Sequence, residues 1–209
     1  ASGNPQNTMG AEELRLLDNA EFALELNCTS LYEEYLCQPL QAFLASYWQK
    51  NYLTHSYFAG RTPDRFYIGN QFCHLLFPER KLLFEIIEKA AAEQVEITLV
   101  FSYIREYMLD YITELLDEIN RWCEEKRQSV EIVVNDWGTA HLAAHFPVFS
   151  ICLGILLNKR KKDPRMAYKL GDRTLFEKNS VHAAFYRKYL KAEFQIERYE
   201  CCLLYTSDA

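Results

Sequence analysis

Apolar and polar positions change their spacing near residue 64. Ahead of that point the pattern reads as helical. Leu14, Leu17, Phe22, Leu24 and Leu26 give residues 11–27 an imperfect apolar face. Ser30 and Glu33 have the spacing of a capping box that opens a second helix over about 30–50. Pro39 falls inside it, where its missing N–H and its ring kink the helix or split it in two. No strand alternation is read in this stretch, so residues 1–60 are expected to form a helical N-terminal segment.

Beyond residue 64, strands and helices alternate. Arg65-Phe66-Tyr67-Ile68-Gly69 reads as a short strand, and Pro78 and Glu79 open a helix with Leu82, Leu83, Ile86, Ile87, Ala90 and Ala91 as its buried stripe. Residues 95–101, VEITLVF, are β-branched and nearly continuous, the mark of a buried strand. A helix over about 104–127 repeats Met108, Ile112, Leu115, Leu116, Ile119 and Cys123 at helical spacing. Val130–Val134 is a third strand, ended by Asn135-Asp136-Trp137-Gly138 and followed by a short helix to about His145. Val148–Leu153 is a fourth strand and stops at Gly154. Asn179 or Ser180 caps a helix over about 180–192, and Phe194–Tyr199 is a fifth strand.

Strand–helix repetition with short connections requires a parallel sheet covered by helices. The turn after the first strand reads GNQFCHLLFPER and lacks the G-x-G-x-x-G fingerprint, and there is no Walker loop. The expected fold class is therefore α/β, a partial (β/α) barrel of about five parallel strands over residues 61–200. A whole barrel needs roughly 250 residues. Strands left unpaired at the edges of such a wall invite association, and the pattern leaves the oligomeric state open.

Composition narrows the class of function. Of 209 residues, 49% are hydrophobic and 14% aromatic, enough for a substantial core. The net charge of −6 argues against a dedicated nucleic-acid binder, and no DNA partner is expected, while a local basic patch stays open. No apolar run approaches membrane-spanning length, and residues 1–13 carry no signal-peptide pattern. Seven cysteines, none in a C-x-x-C pair, are expected to be reduced thiols of a cytoplasmic protein. The closing residues CLLYTSDA resemble the translated read-through of a sequencing adaptor seen at the ends of metagenomic reading frames. On that resemblance residues 201–209 are an artefactual tail, and the natural chain continues past Glu200 in other residues.

In a parallel α/β wall the functional edge lies at the carboxyl ends of the strands. Asn70, Gln71, Cys73 and His74 follow the first strand, Ser102, Tyr103 and Arg105 the second, Asn135 and Asp136 the third, and Asn158, Lys159 and Arg160 the fourth. Glu197, Arg198 and Glu200 lie on the fifth. Asn135-Asp136 is the sharpest local signal: a carboxylate beside an amide at a strand end can orient a polar substrate, bind a metal or act as a base. The competing reading is that Asp136 caps the next helix. Gly138 permits close packing or an unusual turn. The run 158–165, NKRKKDPR, could grip a phosphate or an RNA backbone, or be a solvated loop. His141 and His145 stand one helical turn apart, but Leu142 occupies the place of the Glu that H-E-x-x-H requires. No Cys/His spacing fits a zinc site. Cys73 reads as a packed thiol more readily than as a partner of His74.

Several of these motifs, taken in order, resemble the collagenase-like peptidase family of unassigned mechanism. They are Tyr67-Ile68-Gly69-Asn70, Asn135-Asp136-Trp137-Gly138, Leu153-Gly154-Ile155-Leu156-Leu157-Asn158-Lys159 with Asp163-Pro164-Arg165, and Ile196-Glu197-Arg198-Tyr199-Glu200. The resemblance spans about residues 64–200 and implies a barrel enzyme. It matches Asp136 and Gly138 to a D-x-G turn, and Arg198 and Glu200 to an R-x-E pattern, as contacts at the barrel mouth. Some members are described as peptidases. Others resemble iron–sulfur proteins that support hydroxylation of RNA bases or quinone precursors, with cluster cysteines mainly beyond this region. The chain departs from that pattern, since nothing upstream groups four thiolates. The cofactor is left open: either the cluster ligands lie past the present C-terminus, or this branch has none.

The expected site has Asp136 and Glu200 as catalytic groups. Asn70, Asn135, Gly138, Asn158, Lys159 and Arg198 bind a peptide, RNA or small-molecule substrate, and no metal ligands are assigned. The alternative is a non-catalytic scaffold that docks a partner through the basic loop 158–165 or through the aromatic residues Tyr32, Tyr35, Phe43, Tyr47 and Trp48.

Overall fold

A computed structural model describes residues 17–158 and 179–201. Six parallel strands pair in the order in which the chain makes them: β1 (Ala23–Leu26), β2 (Arg65–Gly69), β3 (Glu96–Val100), β4 (Val130–Val134), β5 (Phe149–Leu153) and β6 (Arg198–Tyr199). Between them lie α1 (Thr29–Cys37), α2 (Leu40–Lys50), α3 (Arg80–Ala92), α4 (Leu109–Lys126), α5 (Trp137–Ala143) and α6 (Ala184–Phe194). A doubly wound sheet would reverse its strand order at a switch point. Unbroken sequential order is that of a barrel wall, and the sheet curls into a half-barrel.

The curl has a direct chemical witness. Five gaps of about 4.8 Å would put the outer strands of a flat sheet roughly 24 Å apart, too far for two side chains to meet. Arg198 on β6 nevertheless reaches Glu21, just ahead of β1, at 3.4 Å. No helix among the described residues is long and apolar enough to cross a membrane.

The two faces of the wall differ in chemistry. Leu24, Leu26, Phe66, Ile68, Ile97, Leu99, Ile132, Val134, Ile151 and Leu153 face outwards and join the helices in the main core. The alternate positions face inwards. Arg65, Glu96, Thr98 and Glu131 lie low on that face, whereas Val100, Val133 and Cys152 form a small apolar cluster with Tyr67 higher up.

The front of the chain differs from its expected form. Ala23–Leu26 is a strand rather than the end of a helix over 11–27, and residues 11–16 lie outside the described residues. The segment alternates exposed and buried positions, and Ala23↔Arg65 through Leu26↔Ile68 pair in parallel. Phe22 and Asp64 tighten the junction, with Phe22 N–H donating to the Asp64 carboxylate at 2.7 Å and Asp64 N–H to the Phe22 carbonyl at 2.8 Å. Strand pairing therefore crosses the expected boundary at residue 60, and β1, α1, α2 and β2 together make the first β–α–β unit. Pro39 does split the helical region in two, between α1 and α2. The expected Ser30 cap is absent: Cys28 is the N-cap of α1, with no side-chain capping bond. At the other end α6 runs through Phe194, which leaves β6 two residues instead of the expected six.

Candidate functional site

The inner face is built in storeys. At its foot, Arg65 donates to Thr98 Oγ1 at 2.9 Å, and Thr98 donates on to Glu131 Oε1 at 2.9 Å. Arg65 also pairs with Glu21 and Glu96. Arg198 approaches the other Glu131 oxygen at 3.1 Å. Glu131, 1% exposed at its side chain, is thus held between two guanidinium groups, the condition under which a buried charge is tolerated. These residues brace the wall below the mouth, so Arg198, expected to bind substrate, is engaged in ion pairs there.

Glu200 lies two residues further on, at the rim. Its N–H donates to the Leu153 carbonyl at 2.9 Å, which carries the β5–β6 ladder past the last strand residue. One carboxylate oxygen accepts from Ile155 N–H at 3.3 Å, and the Gln71 side chain also donates to the carboxylate. Burial pushes the Glu200 carboxyl up to about 7 against these two hydrogen bonds, and the negative charges of Glu25 and Glu131 add to the rise. Asn158, itself buried, donates to the Glu200 carbonyl at 2.7 Å. Two acceptors here are buried with no hydrogen-bond partner: Gln71 Oε1 and Asn158 Oδ1.

Asn135 is the strut of the rim. Its amide donates to the Phe101 carbonyl at 2.8 Å and accepts from Leu156 N–H at 3.1 Å, tying the ends of β3 and β5 together. Gly154 is the only residue type that fits beside it, because an added Cβ would lie 2.2 Å from Asn135 Oδ1. Asp136 acts as the N-cap of α5. One oxygen accepts from Thr139 N–H at 2.8 Å, and the other from Thr139 Oγ1 at 2.6 Å and from Ile104 N–H at 3.0 Å. The capping alternative is therefore what the geometry shows, and three donors of the chain occupy the carboxylate. Gly138 leaves room for that cap, since a Cβ there would stand 3.1 Å from Asp136 Oδ1. Asn70 accepts from Phe72 N–H at 2.9 Å and Cys73 N–H at 3.0 Å, and so shapes the loop that carries Gln71.

Of the expected site residues, then, Glu200 and Asn158 come together directly, Asn135 supports them, Asn70, Asp136 and Gly138 shape turns, and Arg198 lies below. Lys159 and the rest of the basic run fall outside the described residues. Gln71 is a strand-end residue to which the sequence assigns no role. Glu25 and Glu131 were not anticipated. Polar residues at alternate positions of otherwise apolar strands (R-F-Y, E-I-T, V-E-I) signal a polar barrel interior. Among the described residues, no three His, Cys, Asp or Glu side chains converge on one point. The cysteines among the described residues therefore do not fit an iron–sulfur cluster.

Comparisons with known proteins add no relative: no family model, no curated protein and no solved structure matches the chain.

Proposed function

We propose that this chain carries the acid–base centre of a barrel enzyme, with Glu200 as the group that moves the proton. The observation behind this reading is a half-buried carboxyl on the inner rim of the wall, hydrogen-bonded by Ile155 N–H and Gln71 and pushed up to about 7 by its burial. At neutral pH such a group is divided between its two forms. It can take a proton from a nucleophile and return it to a leaving group, work that an ordinary exposed carboxylate does poorly. Gln71, in hydrogen-bond contact with it, orients the carboxylate and would accept from a substrate N–H or O–H through its free oxygen. Asn158 offers a second free acceptor beside the Glu200 backbone. A donor-rich polar substrate, such as a peptide, an RNA base or a small polar molecule, suits that pair. The motif resemblance to the collagenase-like peptidases points the same way, and a peptide is the first substrate to try.

The test has two arms. Difference infrared titration of the wild type against Glu200→Gln reads the carboxyl directly, and the expected midpoint lies near 7. In a peptide and ribonucleoside substrate screen, Glu200→Gln should lower kcat by about 10²- to 10⁴-fold and abolish the limb of the pH profile near neutrality. An ordinary carboxylate midpoint, or a folded Glu200→Gln protein with full activity, defeats the proposal.

The alternative of a scaffold docking through its aromatic front has less support. Tyr35 and Phe43 are fully buried, and Tyr32 and Trp48 nearly so, in the core around Phe66. A docking role would then fall to the basic run, beyond the described residues.

A further inference from the structure

A second recess opens on the same rim, between the loop that leads from β2 to α3 and the loop that leads from β3 to α4. It encloses about 260 Å³ and is walled by His74, Phe77, Phe101, Ser102, Met108 and Ile112. Its walls are built rather than incidental. Phe77 and Phe101 stack at 4.7 Å, and His74 Nε2 meets Tyr107 Oη at 3.2 Å, so that the two loops are joined across the opening. Leu75 and Tyr107 stand at the lip, 78% and 70% exposed.

The lining is mixed, with His74, Glu79 and Tyr111 among the apolar groups, and one of its polar residues is both buried and unpaired. Ser102 is 5% exposed, and its hydroxyl is buried with no hydrogen-bond partner. A buried, unsatisfied hydroxyl costs roughly 1–3 kcal/mol, and a ligand that meets it recovers part of that cost.

We propose that this recess is a binding site for a fused aromatic ring bearing one N–H or O–H group, which the Ser102 oxygen accepts. Three observations select that class. The volume exceeds the ~150 Å³ that suffices for a single benzene ring. The walls offer aromatic faces and edges and a methionine sulfur, all favourable partners for a flat π-system. The one buried oxygen of the lining without a partner calls for a single polar hydrogen. The site shares no wall residue with the Glu200 centre, and it stands on this geometry alone.

Indole and 1-methylindole are the probes, titrated by calorimetry into the whole chain. Indole should bind saturably, and 1-methylindole, which lacks the N–H, about 5- to 10-fold more weakly. Ser102→Ala should bring the two probes to equal affinity. Met108→Trp should fill the recess and abolish both, with circular dichroism confirming the fold, and Ile112→Phe serves as a second filling variant. Glu200→Gln should leave indole binding unchanged, which separates this claim from the acid–base reading. Absence of saturable indole binding, or binding that survives folded Met108→Trp and Ile112→Phe proteins, overturns the site. Retained discrimination in Ser102→Ala overturns the role of the hydroxyl.

Discussion

Glu200 couples the rim to pH. Its carboxyl sits above its ordinary value of 4.5, at about 7. The protonated form is thus the one the fold favours. The stability this contributes is complete below about pH 4.5 and is lost as pH rises through about 7, with a ceiling of about 3 kcal/mol. Glu200→Gln should therefore melt higher than wild type at pH 8 and show no such gain at pH 4, as read by calorimetric Tm. Gly154 makes the opposite prediction at the same rim. Gly154→Ala drives a methyl group into Asn135 Oδ1 and should cost about 1–3 kcal/mol, as overpacking does, measured by urea denaturation. Gly69 carries two constraints at once, a φ of 119° and a Val100 carbonyl that an added Cβ would meet at 2.3 Å.

The elements show where the sequence could be read and where it could not. β3 and β4 were legible because β-branched residues buried on both faces leave no helical alternative. The division at Pro39 was legible because proline's effect is local. β1 was hidden: F-A-L-E-L does alternate, but Ala, Leu and Glu are all strong helix formers, and only pairing with β2 decides for the strand. β6 was overestimated for a related reason, as α6 continues to Phe194 before Gln195 turns left-handed at φ 57°. The rim was legible as a set of strand-end positions. Which of them touch was not, since the contacts from Gln71 and Asn158 to Glu200 span long stretches of chain. A charge in β1 tests its place in the wall. Leu26 is fully buried, so Leu26→Asp should destabilise the whole wall by about 3 kcal/mol or more and speed hydrogen exchange in Arg65–Gly69. A helical front independent of the barrel would leave those amides unchanged.

At the scale of the molecule, the half-barrel divides its forces by face. The outer face is held by apolar burial, and the foot of the inner face by a charge cluster of Glu21, Arg65, Glu96, Glu131 and Arg198. Arg65→Ala leaves Glu131 with Arg198 as its one remaining cationic partner in that cluster, and should cost about 3–5 kcal/mol. A double variant that makes both Arg65 and Glu131 apolar should recover much of that loss. Denaturation midpoints of the three proteins make the comparison.

Sequential strand order also bears on how the chain comes off the ribosome. Each strand needs only its predecessor as a template, so the wall can grow in the direction of synthesis without waiting for distant residues. Contacts across the curl wait longer, and the Arg198–Glu21 clasp, which joins positions 177 apart, closes late. A latch of that kind belongs to the escape step rather than to assembly: Glu21→Gln, which weakens the Arg198 clasp and the Arg65 pair beside it, should hasten unfolding while leaving the refolding rate nearly unaltered.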